Sequence, residues 1–341
     1  MPLSVGDPIM PSLNRAGLML FKPFKLRIWL VLALAVAMSI MGDGVAPAAG
    51  LMPQVAIRAL RGFTFDQVLL WIQAHTMPII LWTLGLIPPL FVIYLLVRWI
   101  SSRGHFILFD NIVNNTQRIR QPWHEFRELG NSLMKFRISW DLLIFNIYLV
   151  IFLISGVLEW PDFKKFLING TFNATSWTTA AIISLIAGML LAGIILFILS
   201  SLIFRMAIPV MYLRRIKAWP AVKLTWRELF KPNWGKCLAY FFFSIVIAMV
   251  GGMVTELGMI VLAVFTLCIG PALLYVPLIG NYSMALAGLP VAIFDAAYQL
   301  HFMAQFGPDY TIQWQVPLDR GFPVIVDSSP NSPVANPSAS A

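Results

Sequence analysis

The chain has 341 residues, of which 59% are hydrophobic and 11% charged, and it carries a formal net charge of +9. A soluble domain runs at about 45–50% apolar and about 25% charged, so an ordinary globular protein is excluded. The balance implies an all-α integral membrane protein with several transmembrane helices.

Residues 1–27 are mixed in character and place Arg15, Lys22, Lys25 and Arg27 ahead of the first apolar run, Ile28 to Met41. These first 27 residues read as a cytoplasmic N-terminal segment, and 28–306 as the helical membrane domain. The rival reading is a signal peptide cleaved after Ala46-Pro47-Ala48, against which the long basic n-region argues.

A second span is predicted over Ile79–Trp99, with a kink at Pro88-Pro89, where two backbone donors are missing. The third is predicted over Ile138–Leu158 and the fourth over Thr178–Phe204. The apolar stretch 237–306 holds either three short spans or two long ones joined around Gly270-Pro271, and Glu256 points to a turn or interface near it. Residues 307–341 are polar and, from 323, rich in Pro, Ser, Asn and Ala. That composition predicts a largely disordered C-terminal tail.

The basic residues are not spread evenly. The N-terminal segment and the connections 98–137 and 205–236 hold 19 Lys and Arg, against 4 in the alternate connections 43–77 and 159–177. By the positive-inside rule the N-terminus and both basic connections are cytoplasmic. The excess is therefore a matter of orientation rather than of nucleic-acid binding.

Within the basic connections the apolar residues fall at helical spacing. Trp123, Phe126, Leu129, Leu133 and Phe136 follow Pro122, beside Arg127; Val222, Trp226, Leu229 and Phe230 follow Pro220, beside Arg227 and downstream of Arg214 and Arg215. Each pattern predicts a cytoplasmic amphipathic helix lying at the headgroup level with these residues facing lipid, or a helix that covers the inner ends of the spans. Phe126-Arg127-Glu128-Leu129 and Trp226-Arg227-Glu228-Leu229 also match at a spacing of one hundred. That spacing suggests a parallel repeat of span, basic helix, span, with coincidence as the alternative.

In the fourth span, Ala180, Ser184, Gly188 and Ala192 recur every fourth residue, as do Ser244, Ala248 and Gly252 in the fifth. Such stripes predict close helix packing, or else homo-oligomerisation. Catalytic signatures are not found: His75, His105, His124 and His301 are dispersed, Cys237 and Cys268 lack ligand spacing, and no nucleotide-binding glycine loop occurs. No metal or cofactor is expected. Asp141 and Asp295 stand at span ends, where a carboxylate either couples transport or, more commonly, snorkels and caps.

Three segments together carry a resemblance. They are Trp99 to Phe106, Phe204 to Arg215 with Trp226, Asn233, Gly235 and Tyr240, and Leu289 to Phe294 with Tyr298, Leu300 and Gln305 to Gly307. Over roughly 95–310 these resemble a family of uncharacterised prokaryotic multi-pass membrane proteins, distantly similar to the membrane domain of glycerophosphodiester phosphodiesterases. The resemblance implies about six spans, two of them in 237–306, and a cytoplasmic C-terminus in the inner membrane. It implies no activity, and Asp295 stands where the family pattern tends to place arginine. The reading that follows is a non-catalytic membrane component that binds lipids, anionic ones among them, or a protein partner. The alternative is a permease-like carrier.

Overall fold

A computed structural model describes residues 3–22, 24–41, 67, 71, 74–169, 176–265, 277–312 and 314. Among these the regular structure is helical: α1 (Ile9–Phe21), α2 (Leu26–Ile40), α3 (Thr76–Asn114), α4 (Arg120–Glu125), α5 (Arg127–Asn169), α6 (Ser176–Arg214), α7 (Ala218–Leu224), a π-helical turn (Thr225–Phe230), α8 (Trp234–Phe265), α9 (Pro277–Ala287), α10 (Leu289–Ala304) and a 3₁₀ turn (Pro308–Tyr310). Gly270-Pro271, the connection over 43–66, Cys268 and the tail beyond residue 314 lie outside the described residues.

The long helices are longer than a membrane crossing requires. At about 1.5 Å per residue, the 39 residues of α3, 43 of α5, 39 of α6 and 32 of α8 span roughly 48–65 Å, against a hydrocarbon core of about 30 Å. The surplus explains the two basic connections. Residues 98–114 and 127–137 are not loop but the ends of α3 and α5, and 205–214 is the end of α6. Pro88 and Pro89 lie inside α3, which continues through them as one helix. Glu256, expected near a turn or an interface, is not at a turn but inside α8, with its side chain exposed.

Among the described residues four helices are long and apolar enough to cross a membrane, and a fifth span arises if α9 and α10, bent by 73° at Gly288, count as one. The first expected span corresponds to α2, whose 15 residues reach only about 22 Å. It lies along α3, with Leu32, Ala33, Ala35, Val36 and Ala37 buried.

Burial divides the molecule in two. The apolar windows of α3, α5 and α6 contain no buried residue, as befits surfaces solvated by lipid. The core sits at the other end, built from Leu20, Phe106, Ile107, Ile112, Phe126, Leu133, Met206, Met211, Tyr240, Tyr298 and Phe302. The N-terminal segment belongs to this head rather than standing apart. α1 packs on α10, Tyr298 donates to the Val5 carbonyl at 3.0 Å, and the Gln305 amide pairs with the backbone of Ser4 in both directions at 2.8 and 2.9 Å. Order also continues past residue 307, since Tyr310 and Ile312 are buried.

Arg15 ties α1 to the end of α3. Only 2% exposed, it donates to the Ile112 carbonyl from Nε at 2.9 Å and to the Val113 carbonyl from Nη2 at 2.8 Å. These belong to the last turn of α3, whose carbonyls have no intrahelical partner and carry the negative end of the helix dipole. Burial pulls the Arg15 guanidinium down to about 10, which leaves it cationic at neutral pH.

The offset of one hundred reappears in the backbone. α3 ends at Asn114 and α6 at Arg214, and the next residues, Asn115 and Arg215, both adopt the left-handed conformation with φ of 49° and 51°. A six- or seven-residue helix follows each; the first tetrapeptide then runs into the start of α5, and the second lies in the π-helical turn that precedes α8.

Close helix approaches fall one residue away from the expected small-residue stripes. A Cβ on Gly188 or Gly252 would meet nothing within 4 Å, whereas on Gly193 it would reach Tyr148 Oη at 2.7 Å and on Gly251 it would reach Val291 Cγ1 at 2.9 Å. Neighbouring residues lie about 100° apart around a helix, so an adjacent glycine faces a different way. Ser184, Ala248 and Gly252 are exposed in the chain. In α8 the stripe that meets α9 and α10 runs instead through Ser244, Ile247, Gly251, Thr255 and Gly258. The tightest approach to backbone among the described glycines is at Gly104, where a Cβ would sit 2.6 Å from the backbone of Met38 and Ser39 in α2. Gly104→Val is expected to destabilise the protein by about 1–3 kcal/mol through overpacking, with Gly188→Val within about 0.5 kcal/mol of the parent. Unfolding of both variants in detergent micelles checks the contrast.

Candidate functional site

Where the exposed apolar stretches meet the packed head, α2, α3, α5, α6 and α10 enclose a cavity of about 440 Å³. The sequence explains its depth. Arg98 follows the apolar run of α3, Asp141 immediately precedes that of α5, and Arg205 directly follows that of α6. Charges at the ends of apolar helices settle at one level, where headgroups lie.

Three arginines, two aspartates and a histidine line this space. Arg98 Nη2 pairs with Asp141 Oδ2 at 2.6 Å, and Tyr94 donates to the same oxygen at 2.6 Å. Across two other helices, Arg205 grips Asp295 with both ends of its fork, at 2.9 and 3.3 Å, and Gln299 donates to Asp295 at 3.0 Å. Bidentate guanidinium–carboxylate pairs of this kind are directional as well as strong. Arg137, 2% exposed, donates to Ser101 Oγ at 3.0 Å, lies 3.0 Å from His105 Nε2 and stands over the Phe204 ring at 5.2 Å. Because an arginine donates only, His105 Nε2 accepts, which places the imidazole proton on Nδ1. Ser101 passes its own hydrogen to the Ser39 carbonyl at 2.8 Å, and Trp140 donates to Ser200 at 2.7 Å.

Three guanidiniums against two carboxylates leave this lining with a formal charge of +1 before His105 is counted. Its rim is apolar and faces outward: Ile40 is 38% and Phe197 67% exposed. The cavity is thus amphipathic, cationic inside and greasy at its edge. Among the described residues no three His, Cys, Asp or Glu side chains gather as metal ligands; the donors present suit an anion. Hydropathy had separated Asp141 and Asp295 as isolated span ends and counted against a charged cluster at membrane depth. The structure brings both into one cavity, because each finds its arginine on a different helix.

The aromatic and basic residues expected at the interface are distributed differently. Phe126 is buried, stacked on Phe106 with ring centroids 5.8 Å apart, and so does not face lipid. Its helix was expected to be continuous, but the chain turns at Phe126 between α4 and α5, and Leu129 and Leu133 are buried with it. Trp123 is half-buried. It and Trp99 flank Arg103, whose guanidinium lies 4.7 and 4.4 Å from the two rings, an arrangement favourable to cation–π attraction. Arg214 pairs with Asp309 at 3.2 Å, and Arg215 pairs with Glu125 at 2.8 Å above the Phe126 ring. Arg127, Trp226 and Arg227 are exposed. The apolar residues of the first connection are thus shared between α4 and α5, and Phe126, Leu129 and Leu133 turn to protein because α3 and α6 extend far enough to meet them.

Over residues 3–312 the chain matches the family described as Family of unknown function (DUF7544). The chain belongs to that family. No curated protein and no solved structure matches it. The match covers nearly the whole chain, more than the 95–310 over which the resemblance was read, and nothing links the family to glycerophosphodiester phosphodiesterases.

The Arg205–Asp295 pair is part-exposed, with side chains at 25% and 22%, so solvent screening reduces its worth below that of a fully buried pair. Asp295→Asn is expected to lower stability by about 1–2 kcal/mol, and the double variant Asp295→Asn with Arg205→Gln to recover part of that loss. Denaturant titration of the four proteins in one detergent measures the coupling.

Proposed function

We propose that this protein is a multi-pass component of the cell (inner) membrane that holds an anionic amphiphile in the cavity between α2, α3, α5, α6 and α10, without catalysing a reaction on it. The observation that carries the reading is the pairing of a net-cationic lining with an exposed apolar rim, at the depth where the apolar helices end. A headgroup finds arginines and hydroxyls there, and its chain finds Ile40 and Phe197. The basic excess of the head supports a cytoplasmic position for it and for the N-terminus, because 19 of the 24 Lys and Arg fall in the three segments that build it. The last described turn, Pro308–Tyr310, packs against α6 and α10, which supports a place for it in the same head. The exposed Trp219, Trp226 and Trp234 alternate with Lys223, Arg227 and Lys231 on the same head. That mixture suits contact with anionic headgroups.

A second reading is favoured by one arrangement. The offset of one hundred relates His105 to Arg205 and Leu108 to Ile208, and all four line the cavity. Meanwhile α10, which supplies Asp295 and Gln299, is broken from α9 at Gly288. A site shared between repeats and flanked by a broken helix is a design used by carriers. Uptake of labelled lipid or solute into proteoliposomes separates carriage from simple retention.

Two measurements bear on the primary reading. Mass spectrometry of the protein extracted in mild detergent is expected to find an anionic amphiphile retained at about one per chain. Arg205→Gln is expected to retain it about tenfold or more weakly, since a hydrogen bond to a charged group contributes about 1.5–3 kcal/mol. Retention of zwitterionic and anionic lipids in bulk-membrane proportion would overturn the reading. For orientation, Lys231→Cys is expected to react with an impermeant maleimide in inside-out vesicles and to be protected in right-side-out ones.

A further inference from the structure

We infer that the segment 218–231, α7 with the π-helical turn that follows it, is a second lipid-binding surface separate from the cavity. Its occupant is the anionic phospholipid headgroups of the adjoining bilayer leaflet. The inference is independent of the cavity reading. In the cavity the arginines are held by aspartates, a hydroxyl and an imidazole; on this segment the cations are not held. Lys223, Arg227 and Lys231 are exposed, and among the described residues none of them forms an ion pair. The one acid of the segment, Glu228, lines a separate pocket with Arg214 and Tyr310. Three cations without a counter-ion call for an anionic partner.

The other half of the surface is aromatic. Ala218, Ala221, Thr225 and Leu229 recur at helical spacing and are buried against the head. Away from that face stand Trp219, 69% exposed, and Trp226, 52% exposed, two helical turns apart. Phe230 stacks on Trp226 with ring centroids 4.9 Å apart and extends the ridge. Depth then selects the partner. Phe136 precedes Asp141 by five residues, about 7.5 Å along α5, and the Trp219 ring approaches the Phe136 ring at 6.2 Å. The polar layer on each side of a bilayer is about 5–8 Å thick, so Trp219 reaches back into it from the head. At the far end Cys237, where the apolar run of α8 begins, donates from Sγ to the Leu229 carbonyl at 3.7 Å. Both ends of the segment thus stand beside points where apolar runs meet the head, which keeps the cations between them within reach of headgroups. An anionic leaflet supplies both requirements at once, phosphates for the cations and an apolar edge for the indoles.

The test uses the full chain in two nanodisc preparations, one of phosphatidylglycerol and one of phosphatidylcholine, with amide hydrogen exchange read on peptides covering 218–231. A cation close to an anionic leaflet contributes about fivefold in affinity, so exchange is expected to be at least about threefold slower in phosphatidylglycerol at low salt. The difference is expected to collapse as NaCl is raised from about 0.05 to about 0.5 M, because screening shortens the reach of exposed charges. The triple variant Lys223→Gln, Arg227→Gln, Lys231→Gln is expected to exchange equally in the two lipids, and its thermal unfolding establishes that it is folded. Equal exchange of the parent protein in both lipids at low salt overturns the inference, as does a difference that survives in the triple variant. Protection that requires a co-purifying protein in place of either lipid also overturns it and makes the surface a protein interface. None of these outcomes involves a cavity residue, so the cavity reading stands or falls on its own measurement.

Discussion

A charge at the end of an apolar helix cannot slide into hydrocarbon, and that constraint decides how the helices of this protein stand relative to one another. Arg98 and Asp141 stop α3 and α5 at a common level, and Arg205 and Asp295 do the same for α6 and α10. Each pair satisfies two charges that would otherwise be stranded at the membrane boundary, where an unpaired ion is expensive. Lipid supplies no hydrophobic drive between the spans themselves. Register therefore has to come from the boundary and from the head beyond it.

The head is where apolar burial again stabilises packing. Phe126 against Phe106 and Tyr212, and Tyr240 against Tyr298 and Phe302, are stacked or tilted ring contacts at 4.2–5.8 Å between centroids. They join segments distant in sequence, and aromatic pairs of this geometry add to the area they bury. Arg15 closes the same region from outside by satisfying the last carbonyls of α3. A helix terminus buried without such a partner would leave its acceptors unsatisfied, at about 1–3 kcal/mol each. The short N-terminal helix is thus part of what permits α3 to extend well beyond the bilayer and still end inside protein.

Much of this was legible in the chain and some was not, for reasons that particular residues show. The apolar runs marked α3, α5, α6 and α8 because a helix in lipid must be apolar all round, and that property is local. The tetrapeptides at 126 and 226 announced an offset that the helix ends at 114 and 214 then repeat, since local turn chemistry is also written locally. The cavity was invisible because it is a property of pairs. Arg205 and Asp295 are 90 residues apart, and each alone looks like a charge snorkelling from a span end. The small-residue stripes are divided: Ser244 lies on the packed face of α8, whereas the close approaches within the chain fall at Gly193 and Gly251 rather than Gly188 and Gly252, and nothing along one helix says which of two adjacent faces a neighbour will occupy.

The same pairing that builds the scaffold also makes the cavity responsive. An anion entering between Arg98, Arg137 and Arg205 competes with Asp141 and Asp295 for the guanidiniums that hold α3 to α5 and α6 to α10. A ligand can shift the arrangement only by its differential affinity for the states in which those pairs are made or broken. On the proposed reading, each arginine–aspartate pair is both a clamp on helix register and the contact that an entering anion disturbs. Because α10 also buries Tyr298 and Phe302 in the head, a change in the Asp295 pairing bears directly on the packing of that head rather than on the exposed stretches of the long helices.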